Sequence, residues 1–220
     1  GINYNSGQIV FGGINELYRE INWFYPTAGS SVINRVVTYN FAENVWTTGT
    51  LDRSTWIGST VYEKPYATDY NASDTPTFPV VNGVSNGASI YYAHEVGVNQ
   101  ANADGTTTAI PSFIKSGEFD LNGRQGVPGD GEFLMSISRF LPDFKRISGN
   151  AKVTIFLNEF PQGSTAASSP LGPFTVSSST SKINTRARAR LAAVQIENES
   201  VDESWRYGTF RFDVRVDGRR

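Results

Sequence analysis

The chain has 220 residues, with 21 Gly, 10 Pro, 13% aromatics, only 18% charged residues and a net charge of −2. That mix suits an aromatic-rich β protein with many turns and argues against a helical bundle or a disordered chain, and the near-neutral balance argues against tight nucleic-acid binding, which needs a basic surface to displace counterions. There is no cysteine, so disulfides, thiolate metal ligands and cysteine nucleophiles are excluded.

The length suits one or two domains with a sizeable core. No apolar run approaches the ~20 residues of a membrane-spanning helix, and no signal peptide opens the chain. It starts at Gly1 and leads straight into strand-like sequence, which reads as a piece of a longer polypeptide. The sequons at Asn71 and Asn198 are short enough to arise by chance and carry no weight.

In chain order, Gln8-Ile9-Val10-Phe11 is a short strand broken by Gly12-Gly13. From Glu20 to Arg53 the sequence is a meander. EINWFYP alternates Ile21, Trp23 and Tyr25 against Asn22 and Phe24 and is closed by Pro26, which is strand period. Thr27-Ala28-Gly29-Ser30-Ser31 is a turn cluster in which Gly29 can take positive φ at no steric cost, NRVVTYNF forms the next strand, and Ala42-Glu43-Asn44 turns the chain into VWTTG. A tyrosine-bearing strand, a polar turn and a tryptophan-bearing strand is a common way to write a β-propeller blade. STWIGSTVYE ends the meander at residue 63, residues 64–87 are a long loop, and residues 88–99 are a strand.

The second half opens with SFIKSGEFDL and a Gly-rich loop, 122–131. EFLMSISRFLPDF (132–144) and AKVTIFLNEFP (151–161) each alternate, and together they read as a long hairpin. Residues 162–173 are a polar loop. In NTRARARLAAVQIE, Arg186, Arg188 and Arg190 share one parity and Ala187, Ala189 and Leu191 the other; the apolar parity then swaps. A bulge, or a strand passing between environments, accounts for the swap, and a helix over 186–194 is the competing reading. WRYGTFRFDVRV (205–216) is a strand with Phe210, Phe212, Val214 and Val216 inward.

The only histidine, His94, has no second histidine at metalloprotease spacing, so it is read as packed or bonded to a neighbour. No Gly-X-Ser-X-Gly elbow, phosphate loop or dinucleotide fingerprint is present. The loop 120–132 has calcium-loop flavour but fails the EF-hand template at Arg124 and Gln125 and is read as a hairpin loop. Paired carboxylates leave a glycosidase reading open. Trp23, Trp46, Trp56 and Trp205 are read as core and inter-blade packing, against a sugar-stacking surface. Arg186, Arg188, Arg190, Arg211 and Arg215 are candidates for a lumen or subunit contact. The plainer reading pairs them with Asp213, Glu197 and Glu199 in a surface ionic ladder.

INWFYPTAGSSVINRVVTYNFAENVWTTGTLDRSTW, IKSGEFDL, SRFLPDF, TRARAR and WRYGTFRFDVRVDGRR resemble, in order and over nearly the whole chain, the tail nozzle proteins of short-tailed bacteriophages, the tail tubular protein B-like family. The matching motifs are Ser116-Gly117-Glu118-Phe119-Asp120, Arg186-X-Arg188-X-Arg190 and Asp217-Gly218-Arg219-Arg220. The resemblance implies an all-β fold: irregular propeller-like blades over 1–110 and a β-sandwich-like C-terminal part over 111–220. It also implies a virion tail component without enzymatic activity or cofactor, assembled as a ring, usually a hexamer. Such a ring adjoins tail adaptor and portal proteins and tail fibres and passes double-stranded DNA. Members are generally much longer, so this chain would be the C-terminal portion or a compact relative. The alternatives are a glycan-binding or glycan-cleaving β-propeller and a plug that retains packaged DNA at the portal.

Overall fold

The computed structural model describes residues 1–60, 62–70, 89–101, 106–121, 132–160, 169–209 and 211–219. Most of the expected 64–87 loop, the Gly-rich loop, the 162–168 segment, Asn71, Phe210 and Arg220 lie outside the described residues. Within them the protein is nearly all-β, and every strand pair is antiparallel. No described helix is long and apolar enough to cross a membrane. The chain divides into compact units Gly1–Gly97 and Val98–Arg220, whereas the sequence reading places the division at 110/111.

In the first unit a 3-10 turn, Tyr4–Ile9, leads into β1 (Phe11–Asn15), β2 (Glu20–Tyr25), β3 (Arg35–Asn40) and β4 (Val45–Gly49), a four-stranded sheet in chain order. Then come β5 (Thr55–Ile57), β6 (Tyr66–Tyr70) and β7 (Ser89–Ala93), a second sheet. The expected strand 8–11 is wrong: the 3-10 turn takes its first part, and the strand runs through the glycines instead. Gly13 is used because a Cβ there would lie 2.4 Å from Trp56 Cδ1. Gly29 does not take positive φ; Asn44, in the β3–β4 turn, does, at 55°. Phe24, Ile33 and Val36 form the buried core, with Phe11 stacked on Phe24 at 4.8 Å.

The second unit comprises β8 (Asn99–Ala101), β9 (Thr107–Ala109), β10 (Ser112–Lys115), β11 (Phe133–Leu141), β12 (Phe144–Ser148), β13 (Ala151–Asn158), β14 (Ser169–Val176), β15 (Ile183–Ala189), β16 (Leu191–Asn198), β17 (Ser204–Tyr207) and β18 (Arg211–Arg219). Its larger sheets have orders β10-β16-β13-β14 and β15-β11-β18. Residues of both sheets, among them Met135, Ile137, Phe140, Val153, Ile155, Ala187, Val194 and Ile196, make one core.

Three expectations are corrected here. The 132–161 hairpin does not exist: β11 pairs β15 and β18, while β13 pairs β14 and β16. Alternation shows that a strand has a buried face, not which strand lies beside it. The strand 205–216 is two strands, broken where Gly208 N donates to Asp143 O at 2.8 Å. A Cβ on Gly208 would sit 2.8 Å from that same oxygen. Opposite it, Pro142 and Asp143 separate β11 from β12, so β11 pairs with β18 and β12 with β17 on either side of a bend. Finally, part of the 162–173 loop is β14, an edge strand; Pro170 and Pro173 need donate nothing on the outer side of an edge.

The parity swap after Arg190 has its physical cause. β15 alternates buried and exposed residues in one sheet, the chain bends at Arg190, and β16 continues in the other sheet. One continuous segment thus passes between two sheets, and the competing helix over 186–194 is ruled out.

Candidate functional site: an arginine-bearing sheet face

The sheet β15-β11-β18 turns Ile137, Ala187 and Val214 toward the core. Its register therefore turns the alternate residues outward. Ser136 lies opposite both Arg188 and Arg215, Arg139 opposite both Asn184 and Asp213, and Leu141 opposite Arg211. Arg186 falls between the first two rows on β15, and it and Arg188 are exposed by the strict alternation of that strand. Four of the five arginines singled out in the sequence thus share one face, joined by Arg139, which sequence reasoning missed. A bulge in β11 between Ile137 and Arg139 shifts its parity, so Arg139 leaves the apolar set of Met135 and Ile137; no sequence signal marks that bulge.

Arg190 does not share the face. It sits at the bend between sheets, with its backbone N–H donating to Asn158 O at 3.2 Å. Its Nε is buried without a hydrogen-bond partner among the described residues, and its guanidinium lies 5.9 Å from the Phe160 ring centroid.

The face is partly neutralised. Arg139 pairs with Asp213 (Nε–Oδ2 2.6 Å), Arg188 with Asp217 (2.7 Å) and Arg211 with Asp143 (3.3 Å). Each pair is half-exposed, so each contributes about 0–1 kcal/mol. Arg186 and Arg215 have no ion-pair partner among the described residues. The expected ladder partners differ: Asp213 serves Arg139, Glu199 pairs with Lys152 at 2.6 Å, and Glu197 accepts from Gln195 at 2.6 Å. The motif Asp217-Gly218 closes the face: Gly218, at φ 110°, lets Asp217 O accept from Arg188 at 2.9 Å. Ser116 and Phe119 of the other motif hold the edge of β16, Phe119 exchanging two 2.9 Å hydrogen bonds with Ala192.

In the first unit, His94 follows β7 and is packed. Arg53 Nε donates to its Nε2 at 3.1 Å, and Trp56 lies 4.8 Å away. Burial, then the Arg53 charge, push its pKa down to about 4, so it is neutral at pH 7.

The tryptophans divide. Trp56 donates to Ile14 O at 2.8 Å beside Phe24, and Trp205 donates to Asn198 at 3.0 Å against the second core. Trp46, read as packing residue, is 61% exposed. It stacks on Trp23 (5.7 Å) and Tyr39 (4.6 Å) on the face of the meander away from its core. Cross-strand stacking holds these rings without burying them. Trp23, Trp46, Tyr25, Val37 and Arg35 line a cavity of about 550 Å³ there. No protein-family model matches the chain, and no curated protein matches it.

Proposed function

We propose that this chain is a structural, non-catalytic part of a bacteriophage tail, a nozzle-like ring component whose arginine-bearing face fronts the path of the genome or a neighbouring subunit. The observation that carries it is the gathering of Arg139, Arg186, Arg188, Arg211 and Arg215 on one outward sheet face, where Arg139, Arg188 and Arg211 are already paired to aspartates. A surface passed by DNA during rapid ejection must attract phosphates weakly, since every phosphate neutralised releases counterions and tightens binding. Half-paired arginines on a chain of net charge −2 meet that need.

The in-order meander β1–β4 supports a blade-like reading of the first part, and two sheets sharing one core support a sandwich-like reading of the second. Rings of identical subunits close by heterologous contacts. By resemblance the ring is a hexamer next to portal and adaptor proteins, with tail fibres attached. Replacing Arg186, Arg188, Arg211 and Arg215 by Ala should impair ring assembly or slow DNA release; normal rings with normal release would overturn the assignment of the face. The stacked Trp23–Trp46 pair and its cavity favour a glycan-binding surface as the second reading. Saturable binding of a surface polysaccharide, lost in Trp46→Ala, would support it.

A further inference from the structure

The core residues Phe24 and Val36 fix the direction of their neighbours, because strand alternation turns Trp23, Tyr25, Arg35 and Val37 to the opposite face of the meander. The register sets Trp23 opposite Val37 and Tyr25 opposite Arg35. Arg35 therefore stands one diagonal step from Trp23, a separation that long side chains span. Together with Trp46, these four line the cavity of about 550 Å³, within the roughly 300–1,000 Å³ of small-molecule sites. Its walls carry one sign of charge. Arg35 is the only charged side chain among the lining residues, and among the described residues no carboxylate lines the cavity. Arg35 is exposed, and its guanidinium makes no ion pair or hydrogen bond among the described residues. Arg139, Arg188 and Arg211 of the arginine-bearing face each have an aspartate; Arg35, beside an open aromatic wall, has none.

We propose, resting on the glycan-binding reading of this surface, that the cavity takes an acidic polysaccharide, a chain of uronic or sialic acid-type rings whose carboxylate pairs with Arg35. Trp23 and Trp46 offer apolar ring surface to the C–H faces of the sugar. The Arg35 guanidinium is a planar fork of N–H donors that meets a carboxylate with two parallel hydrogen bonds. One guanidinium matches the single charge of one carboxylated ring. No neighbouring acid competes for it, and the apolar wall beside it lowers the local dielectric and strengthens the pair. A neutral sugar fills the same aromatic wall but leaves the guanidinium to water. Charge therefore separates the two classes of glycan at this site.

The test follows the tryptophan fluorescence of the full chain during titration with oligomers of galacturonic acid, hyaluronic acid and sialic acid. Each is compared with its carboxyl methyl ester, which keeps the rings and removes the charge. At least one acid oligomer is expected to bind saturably, roughly 10–100-fold more tightly than its ester, and less tightly as salt rises. Arg35→Gln should bring acid and ester to the same affinity, while Trp46→Ala abolishes the binding of both. Both side chains are exposed, so both variants should unfold within a few degrees of the unaltered chain, which separates lost binding from lost folding. Acid and ester bound alike, with Arg35→Gln unchanged, overturns the acidic-sugar inference and leaves the glycan-binding reading standing. No saturable binding of any oligomer at about 10 mM overturns both. An oligomer that falls to monomer mass in Trp46→Ala assigns the cavity to a second copy of the chain and overturns both as well.

Discussion

At the scale of single residues, the arrangement around His94 makes stability depend on pH. Its folded pKa of about 4 lies below the ordinary 6.5, so the unfolded chain takes up the proton first as pH falls. Stability from this group is therefore complete above pH 6.5 and is lost on going down to pH 4, by about 2–3 kcal/mol. Glu20 acts in the opposite sense: its raised pKa contributes stability at low pH that is lost as pH rises through its folded value. Comparing the chain with His94→Gln separates the two. Urea unfolding at pH 4, 5, 6 and 7 should show the slope flattened in the variant, and an unchanged slope would contradict the assignment. That His94 is held by neighbours was legible from its solitude in the sequence. Arg53 as the neighbour was not, because 41 residues separate them and only the fold brings them together.

At the scale of elements, the bend between the β11–β18 and β12–β17 pairs depends on glycine at 208. Gly208→Ala places a methyl 2.8 Å from the Asp143 carbonyl oxygen, which only a backbone shift relieves. We expect a loss of about 1–3 kcal/mol, read as a lower urea midpoint at constant m-value. Ile155, fully buried, should cost about 2–5 kcal/mol as Ile155→Ala, whereas the exposed Val45 should change little on truncation.

The sequence shows the same division between what is local and what is not. β2, β3 and β4 were legible because alternation, Pro26 and the Ala42-Glu43-Asn44 turn are local signals. The passage between sheets near Arg190 was legible as a parity swap for the same reason. Strand partnership was not: β11 and β13 carry similar alternation, yet they do not pair with each other, β11 joining the distant β15 and β18 and β13 joining β14 and β16. The β11 bulge, which puts Arg139 among the outward arginines, depends on its two partners and leaves no mark in its own residues.

At the scale of the whole molecule, charge decides how DNA would be met. Arg186 and Arg215 are the members of the outward face without an ion-pair partner among the described residues, so they offer the least compensated charge. Removing both as R186A/R215A should leave Tm within about a degree, since exposed charges contribute little to folding. The slope of log affinity for duplex DNA against log salt should fall in magnitude by about 1.8. An unchanged slope would place DNA contact elsewhere.

The ring proposed for this chain in a phage tail is open to direct measurement. The most direct test is the solution mass by light scattering across a range of concentrations, paired with antibody labelling of intact virions. A closed oligomer of defined mass, six subunits by resemblance, with label confined to the tail, is the expected result. A monomer at every concentration, with no label on any virion, would contradict it.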